Sequence, residues 1–275
     1  MLREWIDSLR TDCPRPWRRL GYAHAAVACA ARARRCAAAW APHQARTRRE
    51  ILAAAMGLGS DRRQGSVLVL GAGPCLDVPV GELAGLFRRV VLADAAFPPA
   101  ARAMAARNPA IRLARVELTG LADALAAAGK RETTDLPPPG CTAFLDRRDL
   151  GLVVSVNLLS QLPLLPLEAL PDLTEAGRRE LGRAIVQAHL DHLAAFPCPA
   201  LLITDVERRT YGRDGRLLSR ADPLFGLTLP AGAEWVWDLA PRGELGGGRR
   251  METTVRALIL PRAESAAPPG RTMPA

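Results

Sequence analysis

The sequence contains no stretch that suggests a membrane or a secretory route. Its most apolar segments, such as 152–159, are far shorter than the roughly 20 residues that a membrane-spanning helix needs. Residues 1–7 are charged and lack the uninterrupted apolar run of a secretion signal. We therefore expect this 275-residue chain to be a soluble cytoplasmic protein that does not contact a membrane.

Aromatic residues and lysine are also scarce. Aromatic side chains form 4% of the chain, whereas nucleic-acid-binding proteins typically interleave stacking aromatics with basic residues. The formal net charge of +9 comes almost entirely from arginine, because Lys130 is the only lysine. This charge favours anionic partners through long-range attraction, but nucleic acid is not the preferred partner.

The six cysteines include no CxxC pair, and this spacing argues against a zinc knuckle. Because there is no secretion signal, a disulfide framework is not expected either. His189 and His192 have the i, i+3 spacing of a helical metal pair. However, His192 shares an apolar stripe with Ile185 and Phe196, which favours a packed core residue. We therefore predict free thiols and no metal site.

Composition divides the chain into three parts. Residues 1–60 are rich in alanine and arginine, which favour helix, and they predict an N-terminal helical segment that Pro42 interrupts. Residues 61–262 alternate between strand and helix patterns and form the predicted main domain. Residues 263–275 are rich in proline, alanine and glycine and predict a disordered tail.

The main domain carries the periodicity of an α/β protein. The predicted parallel strands are 67–70, 89–93, 111–116, 152–156 and 200–204. Two later strand-like segments, 234–239 and 252–260, predict a long hairpin. The expected fold is therefore α/β, with a doubly wound, mostly parallel seven-stranded sheet that ends in an antiparallel hairpin and follows the N-terminal helical segment.

A glycine-rich turn follows the first predicted strand. Gly71 lets the chain leave the strand with positive φ, and Gly73 lets a ligand approach the backbone closely. The next strand ends at Asp94, whose carboxylate can accept hydrogen bonds from both ribose hydroxyls of an adenosine. The alternative is an ordinary turn and a helix-capping aspartate. A nicotinamide dinucleotide is disfavoured because Leu76 replaces the third glycine of its fingerprint.

Four segments and the closing hairpin resemble the class I (seven-stranded, Rossmann-like) S-adenosylmethionine (SAM)-dependent methyltransferase superfamily. The segments are VLVLGAGPCLD (67–77), VVLADA (90–95), RVEL (115–118) and LVVSVNLLSQLP (152–163). The resemblance implies SAM as cofactor. The implied cofactor-binding residues are Gly71, Ala72, Gly73, Asp94, Ala95, Glu117, Leu118, Asn157 and Leu158.

The resemblance also assigns roles within that set. The backbone of the glycine turn lies beside the methionine part of SAM, and Asp94 holds the ribose. Glu117 and Leu118 contact adenine, just past the third strand. Asn157 and Leu158 lie beside the transferable methyl group at the end of the fourth strand.

Two positions depart from the family's usual pattern. Val69 stands where many relatives have an acidic residue, and Cys75 replaces the third glycine of a GxGxG turn. Asp77 either replaces part of the missing carboxylate or caps the following helix. An active SAM-dependent methyltransferase is the leading hypothesis. A non-catalytic SAM- or nucleotide-binding module is the alternative, and a nicotinamide-dependent oxidoreductase is the least favoured.

Catalytic candidates are few, because methyl transfer mainly requires alignment of a nucleophile with the methyl group. Asn157 ends the fourth strand but lacks the Pro-Pro-Tyr/Phe continuation of enzymes that methylate amino groups. Asp205 closes the predicted fifth strand and either faces a substrate pocket or caps a turn. The methyl acceptor is left open as a small molecule, a protein or an RNA.

Two arginine-containing segments have open interpretations. A helix with His43 and Arg46 can fold over the cofactor so that Arg46 pairs with the methionine carboxylate, although a solvated basic face is slightly favoured. The arginines of segment 207–222 can hold an anionic substrate. Its Gly-Arg-Asp-Gly turn signal favours an exposed hairpin instead.

Overall fold

The computed structural model describes residues 2–128 and 136–260. The predicted tail, 263–275, lies outside the described residues. The N-terminal helices are α1 (Leu2–Arg10), α2 (Arg15–Arg19), α3 (Tyr22–Arg35), α4 (Ala37–Met56) and α5 (Ser60–Arg63). The alanine- and arginine-rich composition of this segment therefore leads to helix, as expected.

Pro42 does not interrupt helix α4, contrary to the prediction. A proline inside a helix costs about 3 kcal/mol through its lost hydrogen bond and steric clash. Helix α4 nevertheless buries one continuous face at spacings of three and four residues, and this burial offsets the cost. The buried residues of that face are Trp40, His43, Thr47, Ile51 and Ala55.

One mixed sheet forms the centre of the molecule. Its strands are β1 (Ser66–Leu70), β2 (Arg89–Asp94), β3 (Ile111–Arg115), β4 (Leu150–Val156), β5 (Ala200–Tyr211), β6 (Leu217–Ala221), β7 (Ala233–Ala240) and β8 (Arg250–Leu260). The strand order is β3-β2-β1-β4-β5-β8-β7, and β6 pairs with β5 outside this path. Strands β1 to β5 are parallel, whereas β7 and β8 are antiparallel. The predicted α/β fold with a closing hairpin is thus confirmed.

The eighth strand, β6, is not in the sequence prediction. It lies in the polar segment 207–222, where β5 continues to Tyr211 instead of ending at Thr204. All five residues of β6 are exposed. The favoured interpretation of this segment as an exposed hairpin is therefore confirmed, and the hairpin widens the sheet at one end.

Helices cover both faces of the sheet. The connecting helices are α6 (Val80–Leu86), α7 (Pro99–Arg107), α8 (Ala122–Ala128), α9 (Leu164–Glu168) and α10 (Glu175–Ala194). Strands β1 and β4 are buried at every residue, as expected for the centre of a parallel sheet. One hydrophobic cluster includes Ile51 of α4 on one face, and a second includes Ile185 of α10.

The order of the strands creates a crevice between β1 and β4. From β1 the chain proceeds outward to β2 and β3, and it then returns to β4 on the other side of β1. Ligands of doubly wound proteins bind where the strand order reverses in this way, at the carboxyl ends of the strands. The glycine turn after β1 lies at this position.

Candidate functional site

A cavity of about 400 Å³ occupies the crevice at the carboxyl ends of β1 and β4. Its walls include residues from the turn after β1, the ends of three further strands, helices α3, α4 and α9, and strand β7. All nine sequence-predicted cofactor residues line it, namely Gly71, Ala72, Gly73, Asp94, Ala95, Glu117, Leu118, Asn157 and Leu158. The fold therefore brings four separate sequence segments to one cavity.

The glycine turn needs both of its glycines for backbone reasons. Gly71 has φ +76°, and a Cβ placed on it would lie 2.7 Å from the Leu158 Cβ. Gly73 has φ +43°, and its amide faces the Asp94 carboxylate. Helix α6 begins only at Val80, so an irregular segment separates it from the turn. Residues of the turn therefore border the cavity, whereas the N-terminus of α6 lies several residues further along the chain.

Cys75 occupies the position of the missing third glycine and adopts a glycine-like conformation. Its φ is +54°, a value that residues with a side chain rarely adopt. Burial raises the pKa of its thiol to about 12, with the Asp77 and Asp94 charges as further causes. The thiol is therefore protonated at neutral pH and is not a nucleophile. The turn keeps its shape despite the substitution.

Asp94, the last residue of β2, is hydrogen-bonded to the glycine turn. Its Oδ2 accepts a hydrogen bond from the Gly73 amide at 2.8 Å, and its Oδ1 accepts one from the Ala96 amide at 3.2 Å. Burial raises the pKa of the carboxyl from 3.8 to about 6, although these amides lower it. Each oxygen retains a further lone pair for a ligand hydroxyl.

Glu117 is held by a residue of the N-terminal segment that the sequence did not single out. The Tyr22 hydroxyl donates to Glu117 Oε1 at 3.0 Å, and the Thr119 amide donates to the same oxygen at 2.8 Å. Burial, followed by the Glu117 charge, raises the pKa of Tyr22 well above its usual range. Tyr22 therefore keeps its proton and remains a hydrogen-bond donor at the cavity wall.

Asn157 directly follows β4 and has a left-handed backbone conformation, with φ +48°. Its main-chain amide donates to the Ile203 carbonyl at 2.8 Å, and its side-chain Nδ2 donates to Asp77 Oδ2 at 2.5 Å. The cap of helix α6 is Pro79, without a side-chain hydrogen bond. Asp77 therefore does not cap the helix, and its carboxylate lines the cavity instead.

Helix α4 folds over the cavity, but it contributes His43 and not Arg46. The His43 side chain is only 1% exposed, lines the cavity and stacks on Trp237 with ring centroids 3.8 Å apart. Arg46 Nε instead contacts Glu50 Oε1 at 2.8 Å, one turn along the helix. The solvated-face interpretation is thus wrong for His43, and the proposed pairing of Arg46 with a cofactor carboxylate is not supported.

Asp205 lies apart from the cavity. It sits inside β5 at a bulge, because the strand continues beyond it to Tyr211. Its carboxylate accepts hydrogen bonds from the Ser160 hydroxyl and from Arg208 Nε, the latter at 2.6 Å. It does not occur among the residues that line the cavity. The weak prediction of a catalytic Asp205 therefore gains no support from its position.

The histidine pair of α10 is part of the core. His189 Nε2 contacts Ser155 Oγ at 2.9 Å, and His192 Nε2 contacts the Ala143 carbonyl at 2.9 Å. Burial lowers the pKa of His189 to about 3. The prediction that His192 is a packed core residue is confirmed. Within residues 2–128 and 136–260, no group of three or more His, Cys, Asp or Glu is arranged to hold a metal ion.

The cavity differs in charge from the chain as a whole. Four of its wall residues are acidic: Asp77, Asp94, Glu117 and Glu168. Among the residues that the structure describes, no arginine or lysine lines it, although the formal net charge of the chain is +9. The local field therefore favours a ligand with net positive charge.

No helix in the described part of the chain is both long and apolar enough to span a membrane.

No family model matches the chain, and no curated protein matches it. Solved structures give detectable matches. A complex of DhpI with SAM and HEP has 16% identity and a TM-score of 0.33, over 82% of this chain and 92% of DhpI. A SAM-dependent methyltransferase from Aquifex aeolicus has 10% identity and a TM-score of 0.28, over 72% and 84% of the two chains.

A third match is 1,6-didemethyltoxoflavin-N1-methyltransferase from Burkholderia thailandensis with bound 1,6-didemethyltoxoflavin and S-adenosylhomocysteine. It has 13% identity and a TM-score of 0.31, over 82% of this chain and 89% of that one. Values this low carry no inference about substrate or activity. The strand order and the closing hairpin of the chain itself give it the class I methyltransferase-like fold that the sequence resemblance implies.

Proposed function

We propose that the protein is a SAM-dependent methyltransferase with its cofactor in the cavity at the ends of β1 and β4. The single observation that supports this most is the convergence of all nine resemblance-derived residues on one cavity. SAM has a net positive charge, since its sulfonium and ammonium groups outweigh its carboxylate. An acidic cavity whose described walls lack arginine and lysine suits such a ligand.

Each wall of the cavity would receive a different part of SAM. The backbone of Gly71 and Gly73 would lie beside the methionine part, and Asp94 would accept hydrogen bonds from the ribose hydroxyls. Glu117 and Leu118 would border adenine. Asp77 would supply the carboxylate that Val69 cannot, because its side chain lies in the cavity whereas Val69 is completely buried in β1.

When bound, SAM would supply an activated methyl group for transfer to a nucleophilic atom of the acceptor. The chain itself would orient the cofactor and exclude water from it. Asn157 and Leu158 would border the reacting end, since both line the cavity where β4 ends. Apolar side chains of α9, Leu164 and Leu165, line the cavity beyond them and would receive part of the acceptor.

Calorimetric titration with SAM and S-adenosylhomocysteine tests the proposal. The wild-type protein should bind both, and Asp94→Ala should weaken binding by about 1–3 kcal/mol through loss of hydrogen bonds to a charged group. Asp61→Ala, at an exposed aspartate of α5, is the matched control and should bind like wild type. No binding of either ligand by wild type would rule the proposal out, and tight binding of NADH would favour an oxidoreductase.

A non-catalytic SAM-binding module is the second candidate, because Val69 and Cys75 both depart from the usual sequence pattern of the family. Such a module would bind both ligands but would release no S-adenosylhomocysteine when it is incubated with SAM and a panel of small acceptors. Release of S-adenosylhomocysteine that depends on one acceptor, and that Asp94→Ala diminishes, would exclude the module.

A further inference from the structure

The turn between α2 and α3 places a tyrosine at the wall of the cavity. Gly21 forms this turn with φ +98°, a value that favours glycine, and α3 begins at Tyr22, which lines the cavity. The ring of Trp17 packs against the Tyr22 ring with centroids 6.4 Å apart. The indole of Trp17 in turn donates to Asp123 of α8 at 2.7 Å. The Tyr22 side chain is therefore held between the N-terminal helices and the segment that follows β3.

The Tyr22 hydroxyl is one of three donors around the Glu117 carboxylate. It donates to Glu117 Oε1 at 3.0 Å, and the Thr119 amide donates to the same oxygen at 2.8 Å. The Ala122 amide approaches the other oxygen, Oε2, only at 3.4 Å. Each carboxylate oxygen can accept about two hydrogen bonds, so Oε1 is fully used whereas Oε2 retains capacity. Because Glu117 lines the cavity, Oε2 is the oxygen that a ligand can use.

The hydrogen bond from Tyr22 prepares Glu117 for a ligand. Burial, followed by the Glu117 charge, raises the pKa of Tyr22 well above its usual range, so the hydroxyl keeps its proton at neutral pH. A glutamate side chain has several rotatable bonds and loses rotamer freedom when it binds a ligand. Hydrogen bonds that already hold the carboxylate reduce this cost of binding.

A carboxylate at the cavity wall can distinguish purines at position 6. It accepts hydrogen bonds but cannot donate them, so it binds the 6-amino group of adenine and repels the 6-oxo group of hypoxanthine or guanine. Among the residues that the structure describes, no arginine or lysine lines the cavity to compensate for this repulsion. An acceptor that is held in place therefore gives selectivity as well as affinity.

We propose that Tyr22 is a positioning residue, whose hydroxyl holds the Glu117 carboxylate so that Oε2 accepts a hydrogen bond from the 6-amino group of the cofactor's adenine. This inference rests on the proposed function, because that assignment puts adenine beside Glu117. It gives the N-terminal helical segment a part in cofactor selectivity, although this segment precedes every strand of the sheet.

Two ligands that differ at position 6 of the purine provide the test. S-adenosylhomocysteine carries an amino group there, whereas S-inosylhomocysteine carries an oxo group, with a proton on the neighbouring N1. In calorimetric titrations, wild type should bind S-adenosylhomocysteine at least about tenfold more tightly than the inosine analogue.

Tyr22→Phe keeps the ring and removes only the hydroxyl. It should weaken S-adenosylhomocysteine about fivefold, the effect of about one net hydrogen bond, and change binding of S-inosylhomocysteine by less than about twofold. The matched control is Tyr211→Phe, at the other of the two tyrosines, which is not among the residues that line the cavity. This control should bind both ligands like wild type.

Glu117→Gln gives a second comparison that does not depend on the folding of Tyr22→Phe. The Tyr22 hydroxyl and the Thr119 amide are both donors, so they should select the amide oxygen of the new side chain and leave its NH2 group at the position of Oε2. That group donates, so the preference between the two ligands should reverse. Addition of Tyr22→Phe should diminish the reversal, because only one of the two donors then selects the orientation of the amide.

Equal weakening of both ligands by Tyr22→Phe would indicate a merely structural role and would overturn the inference, as would unchanged affinity for S-adenosylhomocysteine. Equal binding of the two ligands by wild type would also overturn it, while leaving the proposed function intact. Absence of S-adenosylhomocysteine binding by wild type is a different outcome, since it would refute the proposed function itself and this inference with it.

Discussion

Binding of S-adenosylhomocysteine should depend on pH through Asp94. Burial raises the pKa of this carboxyl to about 6. Ribose hydroxyls donate their hydrogens, so they bind the ionised carboxylate better than the protonated acid. If binding requires the ionised form, the apparent affinity is the affinity of that form multiplied by the fraction of Asp94 that is ionised. This fraction is about 90% at pH 7 and about 10% at pH 5. Affinity should therefore fall about tenfold between these pH values.

The ligand contributes little to this dependence. Its α-carboxyl titrates near pH 3.5 and its α-amino group near pH 8, so both keep their charge between pH 5 and 7. Calorimetry in buffers of different ionisation enthalpy should detect release of about one proton per ligand at pH 5 and almost none at pH 7. Asp94→Asn has no titratable group at this position, so any slope that remains in this variant reports other groups.

The same shift has a consequence for stability without ligand. The folded-state pKa of about 6 lies above the reference value of 3.8, so the folded protein binds more protons than the unfolded chain between these values. The free energy of unfolding should therefore fall as pH rises from about 4 to 6, by at most about 3 kcal/mol from this group. Urea unfolding at pH 4 and pH 7 measures the difference between wild type and Asp94→Asn. If wild type and Asp94→Asn show the same pH dependence of affinity and the same pH dependence of stability, the assigned role of Asp94 is wrong.

Three further predictions concern the turn and the buried ion pair. Gly71→Ala should lower the free energy of unfolding by about 1–3 kcal/mol, because φ is +76° and the new methyl group would overlap Leu158. The control is Gly81→Ala, in open space on α6, which should raise the free energy of unfolding by up to about 1 kcal/mol in the same denaturant melts. Cys75→Gly should change affinity for S-adenosylhomocysteine by less than about twofold, because the residue already has φ +54°, and a larger loss in calorimetry would show that the thiol matters for the ligand. Arg208→Met should cost about 3 kcal/mol in urea unfolding, because it leaves Asp205 buried without its cation, while cofactor affinity stays unchanged; a loss of affinity would return Asp205 to the candidate site.

The predicted site residues that line the cavity are those whose position depends on local structure. A strand followed by a glycine turn must end at the carboxyl edge of a parallel sheet, and so must the strand that ends at Asp94. The chain direction and the right-handed crossovers then bring Glu117 and Asn157 to the same edge. These constraints operate over a few residues each, which is why a single sequence reveals them.

The errors arose where distant contacts decide the outcome. Pro42 predicts a break, but packing of one face of α4 keeps the helix continuous. Asp205 seemed to end a strand, but pairing with β8 extends β5 beyond it. In each case tertiary packing overrode a local signal.

The sequence by itself determined the succession of the parallel strands, the closing hairpin and the glycine turn with its acidic partner. Only the tertiary structure decided that His43, Tyr22 and Trp237 share a cavity with that turn. These residues come from the two ends of the chain, and neither their spacing nor their type marks them as neighbours. The positions of His43 and Trp237 follow from burial of helix α4 against the hairpin, because contacts between segments about 200 residues apart form only when the whole core packs.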